Sequence, residues 1–277
     1  NPDDSLDAEA HAASALLVGT VSKNLVHVFR AREAARKGTG VADASVQPGK
    51  VADLAVLGAG VMGGGIAQLA ASHGVRVRMK DVRHEAVTGG LRHAHALFRK
   101  AVEKKKLSHR EAERAMELVS GGLDWAGFAA ADLVVEAVVE QLDVKRAVLE
   151  EAEARVSPSC ILATNTSALS VDALAEGLER PERVCGLHFC NPVHRMPLVE
   201  VVRGRRTSDQ VVATVHAFAV ALGKVPVVVG DGPGFLVNRI LAPYLNEAGW
   251  LLGDGATVEE VDRAALEFGM PMGPLRL

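Results

Sequence analysis

The run "ADLAVLGAGVMGGGIAQLAASHGVRVRMKD", residues 52–81, leaves few folds open. A short apolar stretch meets Gly58, Gly60 and Gly63 in GxGxxG spacing, and a segment with apolar residues at helical spacing follows. A second strand-like stretch then alternates Val75, Val77 and Met79 with charge and ends on Asp81. Strand, glycine turn, helix and strand in this order make a βαβ unit, whose two strands lie parallel. The glycines have separate physical tasks: a tight turn at Gly58, close approach of backbone to a pyrophosphate at Gly60, and close packing of helix on strand at Gly63. Free N–H groups at the helix start would face the phosphates. Asp81 stands about 20 residues further on, where a carboxylate accepts hydrogen bonds from the adenosine ribose hydroxyls. Its charge would repel a 2′-phosphate, so NAD is expected over NADP, with Lys80 and Arg83 read as a solvated strand end and helix start.

The alternation continues, with further strands expected at residues 133–135, 161–163, 184–187, 198–202 and 225–229. Between Glu85 and Val119 a charged helical stretch with "EKKKLSHRE" at its middle reads as a hairpin inserted between strands. From "GPGFLVNRILAPYLNEAGWLLGDG" onward the period is helical throughout. The expected fold is therefore α/β: a Rossmann-like, doubly wound, mostly parallel sheet with an inserted helical hairpin, followed by an all-α domain. Upstream, Ala8 to about Lys37 carries Leu17, Val21, Leu25 and Val28 at helical spacing and reads as one long helix stopped at Gly38. The expected divisions are residues 1–50 as linker helix and loop, 51–230 as the dinucleotide-binding domain, and 231–277 as the start of a helical domain left incomplete.

At 277 residues, 48% hydrophobic and 23% charged, the chain can bury a sizeable core, and a formal charge of −3 gives no basic excess of the kind that binds nucleic acid. Three cysteines without a CxxC pair, and no HExxH, suit a reduced, cytoplasmic setting without a metal. No run of about 18 uncharged apolar residues suggests a membrane span. The chain begins at Asn1 and stops at "MPMGPLRL" without a helix stop signal, so it reads as cut from something longer.

The stretch "GLHFCNPVHRMPLVE" places His188, Asn191 and Glu200 within apolar runs. Alone, His188 reads as a core histidine satisfied by a local hydrogen bond. Ser167 and Asn165 read as loop or cap residues, Asn238 as a core amide, and Lys104 to Lys106 as a solvated hairpin turn. Glu140 and Lys145, five apart, would not share a helix face.

Together, "VLGAGVMGGGIAQ", "VRMKD", "ADLVVEAVVEQLDVK", "ATNTSALS", "GLHFCNPVHRMPLVEVVRG" and "DGPGFLVNRIL" make the chain similar, over nearly its whole length, to the 3-hydroxyacyl-CoA dehydrogenase region of bacterial multifunctional fatty acid oxidation α-subunits. Residues 8–37 resemble the helix that in those enzymes follows an enoyl-CoA hydratase domain. The resemblance implies NAD-dependent oxidation of a (S)-3-hydroxyacyl-CoA to the 3-oxoacyl-CoA, in fatty acid β-oxidation. It makes His188 the general base, paired with Glu200, and Ser167 and Asn238 the donors to the substrate oxygen. It places Met62, Asp81, Glu140, Lys145, Ser167 and Asn191 at the cofactor beside the glycines, and offers Lys104 as a contact to CoA phosphates. It further implies a thiolase β-subunit as partner and a homo-oligomer at full length. Cys190 departs from the family's usual Phe and puts the pocket shape in doubt. Two rival readings stay open: another β-hydroxyacid dehydrogenase, of the kind that uses a lysine from the helical domain, although no lysine follows Lys224; and a non-catalytic NAD-binding scaffold.

Overall fold

The computed structural model describes residues 2–277. Helices α1 (Pro2–Val18) and α2 (Thr20–Lys37) precede β1 (Asp53–Leu57), α3 (Val61–Ser72) and β2 (Arg76–Lys80). The hairpin follows as α4 (His84–Glu103) and α5 (His109–Glu117), then β3 (Val119–Gly122) and β4 (Leu133–Glu136). Next come α6 (Leu142–Glu153), β5 (Ile161–Thr164), the short α7 (Val171–Leu174), β6 (Val184–Phe189) and β7 (Leu198–Arg203). The chain ends through α8 (Asp209–Ala221), β8 (Val225–Gly230), α9 (Val237–Gly253) and α10 (Val258–Phe268).

All eight strands form one sheet in the order β3-β2-β1-β4-β5-β6-β7-β8. Every pairing is parallel except that of β6 with β7. Both faces are covered, which is why the central strands are apolar throughout instead of alternating with polar residues. Leu54 and Val56 of β1 pack with Ile66, Phe98 and Phe218 on one face, and Ala55 and Leu57 pack with Phe128, Leu149 and Leu174 on the other. The hairpin joins the first face through Phe98 and Ala112, its second helix opened by a capping box between Ser108 and Glu111.

Three expectations need correction. The N-terminal segment is two helices bent by 61° at Gly19, whose extended backbone (ψ 156°) interrupts the helical path although the apolar period runs across it. That apolar stripe stays exposed at Leu17, Val21 and Leu25 among the described residues. The end of α2 is anchored on the sheet side, where the Ala35 carbonyl accepts from His216 Nε2 and the Gly223 carbonyl from Arg36. Secondly, β3 was not anticipated: "VSGG" has little strand propensity, and its pairing with β2 makes it a strand. Thirdly, α9 begins at Val237 and not at Gly232, because Gly234 (φ 71°) and Phe235 (φ 50°) are both left-handed. No single helix among the described residues is long and apolar enough to cross a membrane.

Candidate active site

At the carboxyl end of β1 the chain enters the glycine turn. Gly58 has φ 95°, and a Cβ there would lie 2.5 Å from the Ala137 carbonyl oxygen. At Gly63 a Cβ would overlap the carbonyl oxygen of Gly58, so α3 approaches β1 as closely as only glycine allows. A Cβ on Gly60 would meet nothing within 4 Å. The turn is thus closed on its protein side and open on the other, at a helix N-terminus with no side-chain cap, and this is the form a pyrophosphate requires. Asp81 braces it, Oδ2 accepting from Ala59 N at 2.9 Å and Oδ1 from Val82 N at 2.7 Å. A cleft of about 590 Å³ runs from Gly58, Gly60 and Met62 past Asp81 to Trp125 and Val139. Lys80 Nζ lies 4.7 Å from the centre of the Trp125 ring, a cation–π placement that occupies its charge. Trp125 was not anticipated as part of this cleft, since its loop has no motif.

At the end of β4 lies a buried ionic network. Glu136, fully buried, accepts from Lys145 Nζ at 2.8 and 3.0 Å, from Thr164 Oγ1 at 2.7 Å and from Val138 N at 2.6 Å. Lys145 is 1% exposed and also reaches Glu140 Oε2 at 3.1 Å. The five-residue spacing did not keep these two apart, because Glu140 stands in the loop before α6 and not on the helix. Glu140 in turn accepts from Thr166 Oγ1 and from the Ser167 amide at 2.9 Å. Partial burial pushes its carboxyl upward, but those hydrogen bonds and the Lys145 charge outweigh it and leave it below the usual carboxylate range. Glu140, Lys145 and Ser167 are therefore brought together, with the Lys145 ammonium facing protein acceptors instead of the open cleft. Glu136 has no motif of its own in the sequence; its one signal is an acid closing an otherwise apolar strand, "LVVE".

Across the antiparallel pair of β6 and β7, His188 stands directly opposite Glu200. Cross-strand partners have neighbouring Cβ atoms, and the ring Nδ1 lies 2.7 Å from Glu200 Oε2. A carboxylate only accepts, so Nδ1 carries the proton and Nε2 is left as the basic nitrogen, free of a protein partner among the described residues. Glu200, fully buried, offers Oε1 to Leu236 N at 2.8 Å and Val237 N at 3.0 Å, the first amides of α9. The next residue, Asn238, donates from Nδ2 to the Ser167 carbonyl at 2.9 Å. The start of α9 therefore ties the His188–Glu200 pair on one side to Ser167 on the other, through successive residues Val237 and Asn238. Asn165 ties β5 to β6 by accepting from Phe189 N at 2.9 Å.

Asn191 lies exposed in the turn after β6, and its side chain has no hydrogen-bond partner among the described residues. Beneath that turn Lys224, buried, donates to the carbonyls of Val193 (2.5 Å) and Met196 (2.8 Å). Burial lowers its pKa. The Cys190 thiol is pushed up by burial and by Glu200, with Lys224 opposing. Cys160 and Cys185 are pushed up to about 12 by burial and are inert as nucleophiles. Lys104 lines a cleft of about 880 Å³ with His73, Lys100, Lys106, His194 and Arg195. Burial and the neighbouring Arg195 charge lower the His194 pKa. A further cleft, about 1170 Å³, lies by Arg203, Arg205 and Arg206. Its Arg203 and Arg205 are already paired with Asp209 and Asp172.

One sheet carries both a glycine turn of the dinucleotide-binding class and an oriented imidazole. Comparison narrows the class: residues 53–232 match the family model "3-hydroxyacyl-CoA dehydrogenase, NAD binding domain", and residues 234–277 match that of its C-terminal domain. The chain belongs to the 3-hydroxyacyl-CoA dehydrogenase family and carries its NAD-binding domain. It is 50% identical over 228 residues to the fatty acid oxidation complex subunit alpha of Psychrobacter arcticus, covering 82% of this chain and 32% of that protein. The Pseudomonas paraeruginosa subunit is 43% identical over 275 residues, 99% of this chain and 38% of its own length. The chain thus spans about a third of these relatives. Among solved structures, the (S)-3-hydroxybutyryl-CoA dehydrogenase PaaH1 from Ralstonia eutropha superposes with a TM-score of 0.79 at 39% identity, over 82% of this chain and 81% of that one.

Proposed function

We infer that the chain oxidises the 3-hydroxyl of a (S)-3-hydroxyacyl-CoA to the 3-oxoacyl-CoA, as part of a fatty acid oxidation α-subunit. The observation that carries this reading is the buried pair of His188 and Glu200, 2.7 Å apart across β6 and β7, in the same sheet whose β1 runs into the glycine turn. His188 Nε2 accepts the hydroxyl proton. Glu200 fixes the tautomer and stabilises the imidazolium that forms, as the third group orients the base in other such arrangements. Bound NAD supplies the acceptor for the hydride that leaves C3. Ser167 and Asn238 hold the substrate oxygen while it gains carbonyl character. Asp81, Gly60 and Met62 seat the dinucleotide, with Glu140 and Asn191 further along it. Lys145 reaches this site through Glu140, which it holds. The basic wall of Lys100, Lys104 and Arg195 suits the phosphates of CoA.

The same reading carries a cytoplasmic setting, a thiolase β-subunit as partner, oligomerisation at full length, and a division near residue 230 between the dinucleotide-binding and helical parts. The rival lysine-dependent mechanism is disfavoured by Lys224, whose ammonium is committed to two backbone carbonyls. The test is NADH oxidation with acetoacetyl-CoA by the full-length polypeptide. His188→Ala should lower kcat by about 10²–10⁴-fold. Equal rates, or a preference for a free hydroxy acid, would refute the assignment. NAD should bind more tightly than NADP, and equal affinities would remove the role given to Asp81.

A further inference from the structure

Phe235 is a bulky residue held at φ 50°, a backbone conformation that side chains rarely adopt and that persists only where the surroundings dictate it. It follows Gly234, itself left-handed at φ 71°, so two successive residues turn the chain the same way. The two amides that come next, Leu236 N and Val237 N, converge on a single oxygen, Glu200 Oε1, at 2.8 and 3.0 Å. These are donors of the first turn of α9 that have no partner within the helix, and convergent successive amides form an anion-holding concavity. Here the anion is the carboxylate that orients the base. With Oε1 held, Oε2 has one direction left, toward His188 Nδ1. The Phe235 ring is 4% exposed, lies in the apolar cluster with Leu57 and Val202, and its centre is 6.0 Å from that of the His188 ring. A glycine would accept this backbone at no steric cost, so what phenylalanine adds is the ring, which locks the turn in the core and covers the buried pair.

We propose that Phe235 is a positioning residue for the base: its left-handed turn aims two amides at Glu200, and through Glu200 it fixes His188. This deepens the assignment of His188 as base and rests on it for its catalytic consequence. The first readout needs no turnover. In the folded chain, the His188 Nδ1 proton shared with Glu200 should give a far-downfield proton resonance. Phe235→Ala and Phe235→Gly both remove the ring, but only glycine keeps the left-handed backbone without strain. Phe235→Ala should lose or shift that resonance and lower kcat by about a hundredfold, with KM for NAD unchanged. Phe235→Gly should retain more of both. Should Phe235→Ala fail to fold, Phe235→Leu, which keeps bulk but not ring shape, is compared with Phe235→Gly in the same way. A resonance and kcat unchanged in every folded variant, with only thermal stability lowered, would overturn the proposal; so would an alanine variant better than the glycine one. If the resonance depends on residue 235 while acetoacetyl-CoA is not reduced, the positioning stands and the reaction assignment falls.

Discussion

The glycine turn and the His188 pair are built in opposite ways. The turn is assembled from neighbours in sequence: β1, Gly58 to Gly63 and α3 follow one another without interruption, and its geometry is set by three positions where a side chain would or would not fit. The pair is assembled across a distance, from β6, β7 and the start of α9, and Glu200 alone joins all three through His188 and two amides. A locally built site fails by steric exclusion, whereas one built across elements fails by misorientation, and the two failures can be told apart.

The largest effect is expected on the local side. Gly63→Ala places a Cβ on the Gly58 carbonyl, and should cost more than about 3 kcal/mol, read as a lowered denaturation midpoint. Gly60→Ala meets no protein atom and should fold as wild type while weakening NAD binding in a titration. Equal destabilisation by the two would erase the distinction between the closed and open sides of the turn.

Next comes the ionic network under Glu140. Lys145→Met leaves Glu136 buried without its counter-charge and should cost about 3 kcal/mol. Adding Glu136→Gln should restore part of this. Failure of the double variant to recover any stability would mean that Lys145 acts by packing and not by charge.

On the distant side, Glu200→Gln should cost about a hundredfold in kcat, because an amide can still accept from the α9 amides yet no longer stabilises an imidazolium. A loss of stability without a loss of kcat would make Glu200 a helix anchor only.

The smallest effect is titrational. The Glu140 carboxyl is held below its ordinary value near 4.5, so the folded state binds its proton less readily than the unfolded one. Its contribution is fully present above that value and is lost as pH falls through the lower, folded-state pKa. Acid denaturation of Glu140→Gln should lack this part of the pH dependence, and an unchanged acid limb would refute it.

How much was legible follows the same division. The glycine turn, Asp81 and five of the later strands could be read because each is a local pattern of sterics or apolar period. Gly19 broke an apparently continuous helix because the apolar period records which face would be covered, not whether the backbone continues. The strand β3 escaped notice because "VSGG" becomes a strand only by pairing with β2. The left-handed turn at Phe235 was hidden because a phenylalanine gives no local sign of it, and Glu136 because a single acid at a strand end has several uses.

By itself the sequence determined that β1 would run into a dinucleotide turn, since only glycine fits at Gly58 and Gly63. It also supplied a histidine and a carboxylate twelve positions apart along the chain. Tertiary structure decided that the two face each other, because the antiparallel register of β6 and β7 sets 188 against 200. It decided too that the second oxygen of Glu200 is held by the first amides of α9, a contact between segments 36 and 37 residues apart that no local pattern encodes.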